Sequence, residues 1–193
     1  GVASSGATAG RGGGTGAGWE EARRDKCELV CTKLGRRPGM RLLDVGCGWG
    51  SLAIHAASQD GVTVVGVTLS QEQATLARER VDAAGVGDLV EIRLQDYRHV
   101  HDGPYDAICS VGMSEHVGGT QLRAYSQTLM DLLAPGGRLL NHAIASVRPL
   151  PTDSKDQPGF IDRYIFPDGE VVTLSSTVES LEHFSLSTEL DTF

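Results

Sequence analysis

The sequence is poor in aromatic residues, at 5%, and nowhere approaches the unbroken run of roughly 18 apolar residues that a membrane-spanning helix needs. Its first residues lack a basic stretch followed by an apolar one, so nothing there reads as a secretory leader, and the chain opens on Gly1 rather than Met. The four cysteines, Cys27, Cys31, Cys47 and Cys109, include no CxxC pair. That excludes a zinc ribbon or a thioredoxin-like motif, and no metal site is expected. Free thiols of this kind fit a reducing cytoplasm, which is the expected location. An excess of positive charge is also missing. The formal net charge is −8, which argues against nucleic acid as a partner.

What is present suits one globular domain: 193 residues, 40% of them hydrophobic and 22% charged. Charge is uneven along the chain. Between Arg11 and Arg41 eight basic residues face four acidic ones, making that segment +4 and leaving −12 elsewhere. Such a segment reads either as a solvated helix face or as one that approaches anionic lipid. Residues 1–18 hold eight glycines and no apolar periodicity, so a flexible Gly-rich tail is expected there. Helical spacing begins near Trp19, with Cys27, Val30, Cys31 and Leu34 at i, i+3, i+4 and i+7.

From Met40 onward short apolar runs alternate with helical patterns. The pattern predicts strands at 41–46, 62–67, 90–94, 105–111 and 137–144, and helices at 50–58, 70–84 and 119–133. Alternation at this spacing implies a doubly wound α/β fold with a mostly parallel sheet, whose ligand crevice lies beyond the C-terminal strand ends. Residues 147–160, rich in proline and polar side chains, read as a long loop. Beyond it stand a Tyr164-Ile165-Phe166 run, a Pro-Asp-Gly turn and a weak strand signal near 170–174.

The chemistry gathers at the predicted strand ends. Asp44-Val45-Gly46-Cys47-Gly48-Trp49-Gly50 closes the first strand and opens a helix. Glycines allow a tight turn and a close backbone approach to a ligand. The spacing is G-x-G-x-G with an acid before it, whereas dinucleotide sites read G-x-G-x-x-G and hold a pyrophosphate. A carboxylate beside the turn repels pyrophosphate and accepts from a cation. S-adenosylmethionine, with its ammonium, carboxylate and sulfonium and no phosphate, suits that turn better. Thr68 and Leu69 follow the second strand, where nucleotide folds often place a carboxylate. Ser70 and Gln73 have capping-box spacing, so Gln73 is either part of a helix start or a cofactor ligand. Asp96 and Tyr97 follow the third strand; Asp96 is either a turn residue or an acceptor for an adenine edge.

Taken together, LLDVGCGWGSLAIHAA (42–57), GVTLSQEQ (66–73), QDY (95–97), SVGMSEHVG (110–118), LLAPGGRLLNHAI (132–144) and FIDRYIFPDGE (160–170) resemble the cyclopropane-fatty-acyl-phospholipid synthases and mycolic acid cyclopropane synthases. The resemblance implies a class I (Rossmann-like) S-adenosylmethionine-dependent methyltransferase domain over 19–176, followed by a divergent segment, 177–193. It implies cofactor contacts from Gly46, Gly48, Thr68, Leu69, Gln73, Asp96 and Tyr97, to which the reading of the turn itself adds Asp44 and Gly50. The acceptor it implies is the C=C bond of an unsaturated phospholipid acyl chain, at the inner face of a membrane, with a cyclopropane or a methyl branch as product. A homo-oligomer is compatible with it. It further implies a bound bicarbonate as the base that removes the final proton, held by Glu115, His142 and the backbone of Ile144. Read alone, Glu115 is equally a solvated loop carboxylate and His142 a satisfied core histidine; His116 orients the loop.

Three departures qualify the resemblance. A Tyr-Ser-Cys segment of the family's longer N-terminal region has no counterpart here. The family's Phe-Glu-His is Ser114-Glu115-His116, which removes an aromatic able to stabilise a cation. After Thr173 the chain passes directly into VESLEHFSL (178–186), as though a helix and the terminal strands were deleted. Truncation at both ends and weak or absent turnover are therefore expected of the chain alone. The alternative functions are a cofactor-binding remnant, a partner subunit, or a methyltransferase for a small soluble acceptor.

Overall fold

A computed structural model describes residues 16–147, 171–185 and 187–190. Helix α1 (Gly16–Lys33) leads into β1 (Arg41–Val45), α2 (Ser51–Asp60), β2 (Thr63–Thr68), α3 (Gln71–Ala83), β3 (Val90–Leu94), β4 (Tyr105–Val111), α4 (Leu122–Asp131), β5 (Leu133–His142) and α5 (Leu174–Glu182). Single 3-10 turns stand at Tyr97–His99, Ser114–His116 and Gly119–Gln121. The five strands form one all-parallel sheet in the order β3-β2-β1-β4-β5. The chain winds outward from β1 through β2 and β3, then crosses to β4 and β5. The reversal of strand order falls between β1 and β4, where α/β folds open their ligand crevice. The expected doubly wound α/β fold is what the chain adopts.

Alternation along the strands divides the core. Leu42, Val64, Ile92, Ala107 and Cys109 pack under α1, α2 and α3 in one cluster. Leu43, Val45, Val65, Val67 and Ile108 pack with Tyr125 and Leu129 of α4 in the other. A strand buried on both faces carries adjacent apolar residues rather than alternating ones, as Leu42–Leu43, Val64–Val65 and Ala107–Cys109 do. Asp44 falls on the α1 side of this alternation, paired in register with Gly66 and Cys109.

Several boundaries move from their expected places. Helix α1 begins at Gly16, inside the stretch expected to be tail. Strand β5 starts at Leu133 rather than 137, because Pro135 and Gly136 are taken up in an irregular pairing where the register shifts between Tyr105 and Ala107. An edge strand tolerates such a proline. The helix expected over 119–133 is a 3-10 turn and then α4. The strand signal near 170–174 amounts to an isolated bridge, Ser146 to Thr173, before α5. Thr173 caps α5 by accepting from the Ser176 N–H, and the helix crosses the boundary placed at 176/177. It docks on α4 through Ser126 and Ser180, whose hydroxyls lie 3.0 Å apart. The Pro-rich loop, the Tyr164-Ile165-Phe166 run and the 160–170 block lie outside the described residues. Among the described residues no helix is long and apolar enough to cross a membrane.

Candidate active site

The candidate site residues named from the sequence sit toward the C-terminal edge of the sheet, on strand ends, loops and helix starts that are tied to one another. The Gly46 and Cys47 N–H groups both donate to Val67 O, at 2.9 and 3.0 Å, binding the first loop to β2. Gln95 N–H donates to Thr68 O at 3.0 Å, linking the second and third loops. Gly112 N–H donates to His142 O at 2.8 Å, linking the fourth and fifth.

The first loop is shaped by backbone that only glycine adopts easily. Gly46, Gly48 and Gly50 have φ of 76°, 53° and 74°. A Cβ at Gly48 would meet nothing within 4 Å, so its backbone lies open, whereas one at Gly50 would meet Ala77 Cβ at 3.1 Å. Arg80 of α3 braces the turn, donating to Trp49 O at 2.6 Å. Beneath it Asp44 is 3% exposed. The Cys109 thiol donates to its Oδ1 at 3.4 Å, and Oδ2 is buried with no partner among the described residues. Burial pushes its carboxyl up to about 6, only partly offset by the thiol. A buried acid with an idle oxygen calls for a donor.

That carboxylate lines a cavity of about 240 Å³, together with Gly46, Gly48 and Trp49 and with a stripe of α1. The stripe is Arg23, Lys26, Cys27 and Val30, at i, i+3, i+4 and i+7. Sequence reasoning missed Arg23, Lys26 and Cys27 as site residues. The helical spacing was available in the sequence, but which stripe faces the crevice depends on how α1 packs.

In the second loop Thr68 is buried and its hydroxyl donates to Gln73 Oε1 at 2.7 Å, while Leu69 is exposed. Ser70 caps α3 by accepting from the Gln73 N–H at 3.2 Å. The backbone of Gln73 therefore belongs to a helix start, while its side chain is held toward Thr68. Gly66, inside β2, is there for space: a Cβ would meet Cys47 Cβ at 2.9 Å and Ile92 Cδ1 at 3.0 Å. In the third loop Asp96 caps the Tyr97–His99 turn. Both its oxygens are taken by Arg98, which holds its carboxyl below the usual range. The turn-residue geometry is what the structure displays. The Tyr97 ring meets Tyr125 edge-on, centroids 5.4 Å apart.

At the ends of β4 and β5 stands a second buried carboxylate. Glu115 is 2% exposed; its Oε1 accepts from the Ile144 N–H at 2.8 Å, and Oε2 is buried without a partner among the described residues. It is not the solvated loop acid that sequence alone allowed. His142 closes β5 on the α1 side, with its imidazole kept below the ordinary value by burial first and by the Lys26 charge second. The Ile144 N–H donates to Glu115 itself. Of the remaining histidines, His55 lies 3.1 Å from Glu28 Oε2 and His183 2.7 Å from Arg123, both outside this edge. Among the described residues no three His, Cys, Asp or Glu side chains gather as a metal site.

Comparison with known proteins agrees with this geometry. The mycolic acid cyclopropane synthetase family model matches residues 16–190. The chain is 43% identical over 167 residues to a probable fatty acid methyltransferase of Pseudomonas putida, covering 84% of this chain and 42% of that protein. It is 43% identical over 166 residues to the cyclopropane-fatty-acyl-phospholipid synthase of Escherichia coli K12, covering 86% of this chain and 41% of that protein. The chain thus spans about two fifths of the length of these curated relatives. It superposes with a TM-score of 0.73 on mycolic acid cyclopropane synthase CmaA1 complexed with SAH and CTAB, at 31% identity, covering 85% of this chain and 60% of that one. A five-stranded parallel sheet, a glycine turn over a buried aspartate and a match across nearly the whole chain together place it in the mycolic acid cyclopropane synthetase family.

Proposed function

We propose that the chain is the catalytic core of an S-adenosylmethionine-dependent methyltransferase that acts on the C=C bond of unsaturated phospholipid acyl chains. The observation that carries this is the pair of buried carboxylates, Asp44 and Glu115, each with one oxygen engaged and one idle, flanking the strand-order reversal.

S-adenosylmethionine fits the residues present. Asp44 Oδ2 would receive the cofactor's ammonium, the glycine turn, open at Gly48, would lie against its chain, and Thr68, Leu69, Gln73, Asp96 and Tyr97, after the second and third strands, would meet its ribose and adenine. Bound there, the cofactor supplies an electrophilic methyl on sulfur. The protein needs no nucleophile of its own, since the π electrons of the acceptor alkene, a weak nucleophile, would attack that methyl directly once it is held against them. Its task is to exclude water and to take a proton from the methylated acceptor. The corner made by Glu115 and His142 is suited to that: Oε2 accepts, and an imidazole held neutral by burial adds a second polar group. A bicarbonate fits the Glu115 half of the corner, its O–H donating to Oε2. The Ile144 N–H is already bound to Glu115 and so acts through it. Basic residues on α1, with exposed Trp19, supply a face that suits an anionic membrane.

The test is incubation of the chain with unsaturated phospholipid vesicles and methyl-labelled S-adenosylmethionine, followed by mass spectrometry of the lipids. A gain of one CH₂ unit per modified chain is expected, at the weak turnover that the chain's partial coverage of its relatives implies. Label in a soluble acceptor instead would overturn the lipid reading, and cofactor binding without any transfer would reduce the chain to a binder.

A further inference from the structure

The cavity between α1 and the glycine turn carries charges of both signs on separate walls. The turn side offers the idle Oδ2 of Asp44, fully buried. The helix side offers Arg23 and Lys26, one turn apart on a single stripe. Arg23 is engaged by Glu20 on its own helix, whereas Lys26 forms no ion pair among the described residues. Lys26 also acts on the second half of the site through its charge. Its charge opposes protonation of His142 more than any other charge does, ahead of Lys33, while Glu115 acts the other way.

A cavity with an idle anion on one wall and an idle cation on the facing wall is complementary to a zwitterion, and the compact zwitterion of biology is an α-amino acid. We propose that Lys26, supported by Arg23, receives the carboxylate of an amino-acid moiety whose ammonium is received by Asp44. The cavity then selects among adenosyl compounds by that end. This rests on the reading of the crevice as an S-adenosylmethionine site and assigns within it a residue of α1 rather than of the strand-end loops. The carboxylate need meet only the tip of a lysine side chain, so the residue contributes as a point charge, and an arginine in its place serves nearly as well. Lys26 is exposed on its helix. Its substitution therefore leaves the fold intact and reads out binding alone.

Calorimetry on the full chain tests this with three probes: S-adenosylmethionine, decarboxylated S-adenosylmethionine and 5′-methylthioadenosine. The wild-type chain is expected to bind S-adenosylmethionine about tenfold or more tighter than its decarboxylated form, the scale of one charge-assisted contact. Lys26→Met should erase that preference by weakening S-adenosylmethionine alone, leaving the decarboxylated compound within about twofold of its wild-type affinity. Lys26→Arg should restore it. A Lys26→Met chain that keeps the full preference overturns the assignment while leaving the cofactor reading intact. If none of the three probes binds the wild-type chain, the cofactor reading falls and the assignment with it. If Lys26→Met loses binding to phosphatidylglycerol vesicles with its ligand preference unchanged, Lys26 is a membrane contact and the proposal is wrong.

Discussion

The two buried carboxylates at the head of the sheet are alike in burial and unlike in what holds them. Asp44 is anchored by a thiol, a weak donor, 3.4 Å away, on a rigid strand flanked on both sides. Glu115 is anchored by a backbone N–H at 2.8 Å, but from a one-turn helix whose partner, Ile144, lies just past the end of an edge strand. One site thus has a firm scaffold and a weakly satisfied charge, the other a well-bound charge on a less braced scaffold. The first arrangement suits tight binding of a ligand that brings its own cation. The second suits a group that must exchange a proton and adjust to an acceptor.

The largest expected effect separates the two halves by chemistry. Glu115→Gln keeps an oxygen for the Ile144 N–H but turns the idle acceptor into a donor. Methyl transfer to lipid is expected to fall about a thousandfold, in the usual range for removal of a general acid–base group. Affinity for S-adenosylhomocysteine should stay within about twofold. A loss of affinity as large as the loss of transfer would mean that the two halves are one site and the contrast is false.

Asp44→Asn is the reciprocal change. S-adenosylhomocysteine affinity is expected to drop about a hundredfold, since a buried charge-assisted contact is replaced by a repulsive amide. The ligand-free protein should gain stability. An Asp whose carboxyl titrates near 6 in the fold and lower in the unfolded chain favours folding when protonated. Its stabilising effect is present at low pH and is lost as pH rises toward and through 6. Above that the buried charge costs about 3 kcal/mol, the free-energy equivalent of a shift from 3.8 to about 6. Denaturant unfolding at pH 5 and pH 8 checks this: the advantage of Asn over Asp should be larger at pH 8. An aspartate variant more stable than the asparagine one at both pH values would show that Oδ2 has a partner after all.

Much of this arrangement was readable in the sequence. Apolar runs with Val and Ile at helix-separated spacing fixed five strands to within a few residues, because strands buried on both faces need continuous apolar side chains. The glycine turn announced itself through Asp44 and three glycines at strained positions. Strand β5 was placed late because Pro135, Gly136 and Gly137 read as a turn, and only pairing with Tyr105 shows that the strand absorbs them. Helix α5 was missed because Thr173 caps it through Ser176, a spacing equally common in loops. Lys26 was unreadable as a site residue: its helix was evident, but the rotation that points it at the cavity is set by Val30, Cys31 and Leu34 docking on the sheet. Likewise the commitment of Ile144 N–H to Glu115 joins two residues 29 apart.

Within the scaffold of the first half, Gly66→Ala sharpens the claim of rigidity. The new methyl meets Cys47 Cβ and Ile92 Cδ1 at distances that force one of them to move. A destabilisation of about 1–3 kcal/mol is expected, with weaker S-adenosylhomocysteine binding because Cys47 belongs to the turn. An unaltered midpoint of unfolding would mean that the glycine loop floats over β2 rather than resting on it.

The smallest effect concerns the second loop, where one glutamine serves two ends. Ser70 caps α3 by accepting from the backbone of Gln73, while the Gln73 side chain reaches Thr68. The two duties separate by substitution. Ser70→Ala removes the cap and is expected to cost about 1 kcal/mol of stability with S-adenosylhomocysteine affinity unchanged, because the Thr68–Gln73 contact survives. Gln73→Ala leaves the Ser70 cap, which uses only the backbone N–H, and so should alter stability little while weakening affinity severalfold. The crossed outcome, affinity lost with Ser70→Ala and kept with Gln73→Ala, would make this loop a plain helix start and confine the cofactor to the turn over Asp44.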